Sequence, residues 1–478
     1  MPSKPKLRMK CDVEELAAAG NAKQVVLGSL AKLYPWLEPY YSRPLRDYAF
    51  RLFEAPASSD APEIRCRALT KLLSAIKNAG SRNGLSLDAS AQICHELEQH
   101  RVLQTGPHLL LLLEPEAYYT HIFSLLGLLA HGRSTYVSYA VSTVSLVERS
   151  HKGPAWLSLE GMPVNVFGLS RSRMIGYSLL SGPGSYRFEL VPGEASAESE
   201  ALAQIRGLLP KTQFKRPAHA IKAANHNLWP KLFGGDFAFL QIDDEDIADL
   251  VAEHLSDEES WLRMRLLEDP KFAPNILAEL DRLAAGPWGC WLARSTDFFW
   301  FYENGKRAPL RLMAGELVHP ATGMKAARFK ASDIIAGLAD RRLIPNLLLM
   351  FLVVSILPGV RVLGGSHQPI YYPLMRHIIC RALGAAGMDE DLRQALASDD
   401  APGAWGHRVI ECHDDPFVLF RNGGAGAVSS LIARFGDIPF RDACGSLSGF
   451  ATDPSWHDLH QRLLHRTIAP TDEEWAFS

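Results

Sequence analysis

The stretch Val102 to Gly132, VLQTGPHLLLLLEPEAYYTHIFSLLGLLAHG, limits the fold more narrowly than any other part of the chain. Val102 to Gln104 can extend as a short strand, and Thr105-Gly106-Pro107 interrupts it with two residues of special backbone geometry. Glu114-Pro115-Glu116 has the form of a helix start, because Pro suits a first turn and carboxylates meet the positive end of the helix dipole. The apolar run to Leu129 then predicts a buried helix. A strand, a glycine turn bearing His108 and a buried helix is how an α/β sheet presents chemistry at a strand's carboxyl end. The competing reading is a buried helical hairpin whose His108 is only hydrogen-bonded.

Ser134 to Val141 alternates and is rich in β-branched and aromatic residues, so a second, parallel strand is expected after a crossover helix. Its end, Ser142-Thr143-Val144-Ser145, would lie beside His108. Late in the chain Val360 to Leu363 reads as a strand running into Gly364-Gly365-Ser366-His367-Gln368, a second strand-to-glycine-to-histidine turn. Two such turns can converge on one crevice at the carboxyl edge of a parallel sheet. Short strands are also expected at Ala155 to Leu159 and Pro163 to Leu169. Beyond them, Arg171 and Arg173 are spaced to clamp a carboxylate or phosphate, or to form a solvated edge.

Residues 1–100 show helical spacing at Glu14 to Leu33, Pro44 to Phe53, Pro62 to Lys77 and Leu87 to His100, which predicts a helical N-terminal region. An α/β core is expected over 101–368, with an inserted segment at about 182–285, and a mainly helical region over 369–478. Within the insert, Lys211 to Lys222 is locally basic. Gln241 to His254 is acidic and is expected to be helical in its second half, with Asp243-Asp244-Glu245-Asp246 as a solvated helix N-terminus, since that run lacks the alternating oxygens and glycine of a calcium loop. The aromatic span from Pro287 to Pro309 reads as sheet core.

Charge excludes little by sign but much by class. Lys+Arg 50 against Asp+Glu 53 leaves -3, which speaks against a general nucleic-acid or membrane-surface role. Seven cysteines, none in CxxC spacing, fit neither a disulfide framework nor a zinc ribbon. No apolar segment follows the basic N-terminus, so a cytoplasmic protein without a secretory signal is expected. Leu343 to Val360 is almost wholly apolar, but Pro345 and Pro358 bracket a run too short for the ~20 residues of a membrane span. Neither a metal motif nor a GxGxxG or Walker A nucleotide motif is evident.

In order and in letters these residues resemble the cysteine-adding ligases of bacillithiol biosynthesis, the BshC family. That family's Thr-Gly-Gln-Gln turn and Gly-Pro-Leu-Tyr helix start resemble Thr105-Gly106-Pro107-His108 and Glu114-Pro115-Glu116-Ala117-Tyr118. Its Pro-Asn-Val helix, Leu-Pro turn and Gly-Gly-Pro-Gly-Glu-x-x-Tyr segment resemble Pro345-Asn346-Leu347, Leu357-Pro358 and Gly364 to Tyr371. The resemblance implies a Rossmann-like, nucleotidyltransferase-type parallel-sheet core with helical N-terminal and C-terminal additions. It also implies a condensing enzyme that forms a carbon–nitrogen bond between an amino acid or other amine and a small polar, sugar-like or carboxylate-bearing substrate, in thiol or specialised-metabolite biosynthesis.

The departures are specific. The family's Glu-Asp-His-Asp segment after the second strand is Ser142-Thr143-Val144-Ser145 here, the paired glutamines are Pro107 and His108, and the late glutamate is Gln368. No sustained heptads follow Pro369, so a coiled-coil dimer is not expected. If the reaction type survives, His108 and His367 are the proton shuttles, since imidazole titrates near ~6.5. Thr105, Gly106, Ser142, Thr143, Ser145, Gly364, Gly365, Ser366, Gln368 and Tyr371 would then bind substrate with Arg171 and Arg173. The alternative is a non-catalytic ligand-binding or partner protein on the same fold.

Overall fold

The computed structural model describes residues 21–56, 61–148, 152–180, 184–193, 200–303, 305–387 and 389–476. At its centre, five strands pair in parallel: β1 (Val102–Gln104), β2 (Thr135–Tyr139), β3 (Ala238–Ile242), β4 (Arg361–Gly364) and β5 (Gly403–Trp405). Their order across the sheet is β5-β4-β1-β2-β3. The fold is therefore mixed α/β around an all-parallel sheet. Every residue of β1, β2 and β4 is buried, as in a parallel sheet covered on both faces.

The expected N-terminal helices are present over 21–33 and as α1 (Leu45–Phe53), α2 (Glu63–Arg82) and α3 (Leu87–Gln99); residues 14–20 of the first lie outside the described residues. Ser86 caps α3 by accepting a hydrogen bond from the Ala89 amide. The crossover helix α4 (Pro115–Ala130) begins at Pro115 and is buried on every side from Ala117 to Leu128, as an all-round apolar helix must be. It packs against α1, while α3 lies on β2.

The 182–285 segment is not peripheral to the sheet. It supplies α5 (Pro217–Phe233), edge strand β3 and α6 (Asp244–Ser256), and β3 pairs with β2 along five residues. The acidic run is not a solvated helix N-terminus. Asp243, Asp244, Glu245 and Asp246 are 0%, 4%, 7% and 4% exposed, because Lys222, the Thr143 amide, His219 and Arg82, all from distant segments, meet them in turn.

The apolar run at Leu343 divides into a strand (Leu343–Pro345), a short α-helix (Leu347–Phe351) and a π-helical turn (Leu352–Ile356), nearly all of it buried. No described helix is long and apolar enough to cross a membrane. Helix α7 (Gln368–Ala386) follows β4 directly and stops at Gly387, whose φ of 64° suits glycine. Region 369–478 carries strand β5 as well as helices, among them α8 (Gly426–Asp437), which packs on α4 and α1. Three antiparallel sheets of three strands each complete the fold; one contains Trp156–Leu159 and Met162–Asn165, another Phe299–Glu303.

Candidate functional site

Chain growth reverses at the middle of the sheet. After β1 the chain adds β2 and β3 on one side, then returns to the other side for β4 and β5. The carboxyl ends of β1 and β4, neighbours in register from Val102↔Arg361 to Gln104↔Leu363, are the topological switch point at which such sheets bind ligands.

Both glycine turns named from the sequence meet there. Thr105 donates its amide to Leu363 O at 2.7 Å, and its hydroxyl lies 3.1 Å from the same oxygen and 3.2 Å from Gln368 Oε1. Gln368 is buried, donates Nε2 to Val362 O at 2.9 Å and accepts from the Tyr371 hydroxyl at 3.3 Å. Thr105, Gln368 and Tyr371 thus stitch the two turns together, which makes them positioning residues. Gly364 is required by close approach, because a Cβ there would overlap the Gln368 carboxamide. Ser366 differs from these. Its hydroxyl is buried at the start of α7 and meets no hydrogen-bond partner among the described residues.

A third turn of the same kind follows β5, Gly406-His407-Arg408. A Cβ on Gly106 would fall inside the His407 side chain, and one on Gly365 would sit 3.7 Å from its Cδ2, so His407 lies against both glycine turns. Its backbone amide donates to Gly364 O at 2.8 Å. The ring is 2.8 Å from the Thr120 hydroxyl through Nδ1 and 3.3 Å from Glu116 Oε1 through Nε2. Burial lowers the His407 pKa, and Glu116 offsets only part of that.

The helix start holds two carboxylates in opposite states. Burial pushes Glu114 up to about 7, although the Ser158 amide donates to it at 2.8 Å. Burial would also raise Glu116, but the His407 hydrogen bond and the Arg408 guanidinium bring it down to about 2. Carboxyl groups whose environments push them apart in this way make this helix start a candidate acid–base site. His108 stands nearby with its side chain 40% exposed, and its Nδ1 is 2.9 Å from Glu148 Oε1. That hydrogen bond lowers the Glu148 pKa, despite the opposing effect of burial.

The remaining predicted residues divide. His108 forms a parallel bridge with Val141, which brings the ends of β1 and β2 together as expected. The amides of Ser142 and Thr143 each donate to Asp244 Oδ2 at 2.7 Å, and the Tyr139 hydroxyl donates to Oδ1 at 2.5 Å. Asp244 therefore occupies these donors. Ser145 is exposed and bridges Ser178 of the adjoining antiparallel segment. Arg171 and Arg173 lie in a short exposed helix, and no ion pair ties either to the turns among the described residues. His367 is turned elsewhere: its Nε2 is 3.1 Å from Asp453 Oδ2, and the rings of Trp291, Phe450 and Trp456 surround it. Burial lowers its pKa, with Asp453 acting against that. His108 and His367 are thus held by separate carboxylates on separate elements.

Glu116, Glu148 and His407 join the candidates only in the structure. The third turn repeats the letters of the first two, but the short strand before it was hidden in a stretch read as helical. No three His, Cys, Asp or Glu side chains gather as metal ligands would among the described residues. The chain matches no protein-family model and no curated protein sequence.

Proposed function

We propose that this chain is an enzyme that forms a carbon–nitrogen bond at the carboxyl edge of its parallel sheet, with the nitrogen of an amine, such as an amino acid, attacking an electrophilic carbon of a small polar substrate and displacing an oxygen leaving group from it. The observation that carries the reading is the His108–Glu148 dyad at the end of β1. In this reading Nδ1–H donates a hydrogen bond to Glu148, which leaves the Nε2 lone pair as the acceptor for a proton from a substrate ammonium group. His407 and the divided pair Glu114 and Glu116 add further proton-transfer capacity, and Ser366 supplies a buried, uncommitted hydroxyl. The strand order, with its reversal between β1 and β4, agrees with the Rossmann-like core that the resemblance implies.

A ligand-binding protein without catalysis is favoured by one observation, the engagement of Ser142 and Thr143 by Asp244 where the resembled family has ionisable residues. The test is a thermal-shift screen of amino acids, sugars and hydroxy acids, followed by mass spectrometry of binding pairs for a condensed product. His108→Ala should cut product formation by about 100-fold or more while ligand shifts persist, the range expected for loss of a general base. Ligand shifts with no product from the wild type would favour the binding protein. Equal product from wild type and variant would remove His108 from the chemistry.

A further inference from the structure

A second site lies at the edge of the sheet, away from the crevice. The acidic run at the start of α6 and the basic segment Lys211 to Lys222 face each other across a cavity of about 1040 Å³, which Arg82 of α2 and Arg341 also line. Its ionic arrangement has an inner and an outer part. Lys222 is 9% exposed and places Nζ 2.8 Å from Asp243 Oδ1 and 3.0 Å from Asp246 Oδ2. Arg82 bonds Asp246 at 2.5 Å and reaches Asp249 at 3.4 Å, and Arg341 bonds Asp249 at 2.5 Å. Arg216 pairs with Glu245, and His219 Nε2 is 2.6 Å from the same carboxylate. Four carboxylates are thus matched by four cations.

Lys211 and Lys215 are left over. Both are exposed at the cavity wall, and neither pairs with a carboxylate among the described residues. The charges of the cavity lining below them are paired with one another, and the 17-residue helix α5 starts at the same wall with its positive dipole end. Lysine ammonium groups act as point charges suited to phosphate, and a cavity of this size admits a metabolite-sized molecule.

We propose that this cavity binds a phosphate-bearing small molecule, with Lys211 and Lys215 meeting the phosphate and the paired floor of Lys222, Asp246, Arg82 and Arg341 shaping the space below. The proposal is independent of any catalytic role of His108. Two unmatched cations call for an anion of at least two charges, as phosphate esters and diphosphates carry near neutral pH.

Isothermal titration of the full chain with inorganic pyrophosphate tests it, with citrate as the non-phosphate anion. Saturable pyrophosphate binding is expected, weakened roughly tenfold or more in Lys211→Ala/Lys215→Ala and restored in Lys211→Arg/Lys215→Arg, as for charge-assisted contacts. Both lysines are exposed, so the thermal midpoint should stay unchanged in either double variant. Absence of saturable binding, or equal binding by wild type and the alanine variant, would overturn the site. Citrate binding as tightly as pyrophosphate would overturn the assignment to phosphate.

Discussion

Nε2 of His407 stands 3.3 Å from Oε1 of Glu116, although the two residues come from opposite halves of the chain. The contact joins the helix start after β1 to the turn after β5. It also holds the Glu116 carboxyl well below its ordinary pKa, whereas burial keeps the His407 pKa lowered in spite of the carboxylate beside it.

The first consequence is acid sensitivity. Glu116 is lowered from an ordinary 4.5 to about 2, so its stabilising contribution is complete above 4.5 and is lost as pH falls toward 2. At 19% exposure screening is slight, and the shift corresponds to on the order of 3 kcal/mol. Glu116→Gln should therefore be less stable than wild type at neutral pH and lose less on acidification. Urea unfolding across that pH window checks this, and an unchanged slope would refute it.

Glu114 works in the opposite direction. Its folded pKa is raised from 4.5 to about 7, so the folded state pays for ionisation as pH rises through that interval, and the penalty is complete above 7. Glu114→Gln keeps an acceptor for the Ser158 amide and removes the penalty. Its unfolding free energy should exceed that of wild type above pH 7, by an amount on the order of 3 kcal/mol, and converge with it below 4.5. If the site is catalytic, the wild-type pH–rate profile should also bend near 7 and lose that limb in the variant.

Close packing gives a test of the three-turn geometry. Gly106→Ala places a Cβ inside the His407 side chain and should destabilise by about 2–3 kcal/mol. His407→Gly breaks the Glu116 contact and has its own cost, but in that background the added cost of Gly106→Ala should largely vanish, measured as a double-mutant cycle by chemical denaturation. An undiminished cost of Gly106→Ala in the His407→Gly background would mean that the turns do not meet as described.

Ser366 separates ligand binding from folding. Its buried hydroxyl has no partner among the described residues, so Ser366→Ala should leave stability unchanged or raise it by up to about 1 kcal/mol. A ligand in the crevice that bonds this oxygen would show a smaller thermal shift with the variant. A stability loss would instead reveal a structural role.

The local pattern made much of the central fold legible. The strand, glycine turn and buried helix from Val102 to Ala130 were readable because each rests on nearby residues: Pro115 at a first turn, the apolar run behind it and Gly106 at the strand end. The β4 turn was readable for the same reason. Strand β3 was not, because its five residues adjoin an acidic run whose composition suggests solvent. The burial of Asp243 to Asp246 depends on Lys222, Arg82 and the Ser142 and Thr143 amides, which only the tertiary fold supplies. The partners of His108 and His367 were hidden likewise, since Glu148 and Asp453 are unremarkable in the sequence.

The strand order also governs when the site can exist during synthesis. β1 emerges early and finds β2 soon afterwards, but its other edge is covered only by β4, and His407 follows later still. Until then β1 presents an unpaired row of amides and carbonyls beside an apolar helix, a surface open to wrong pairing. Closing so long a loop is entropically slow, so this protein's maturation should depend on protection of that nascent edge, and a ribosome-bound chain stalled before β5 would carry every element of the sheet except the one that completes the crevice.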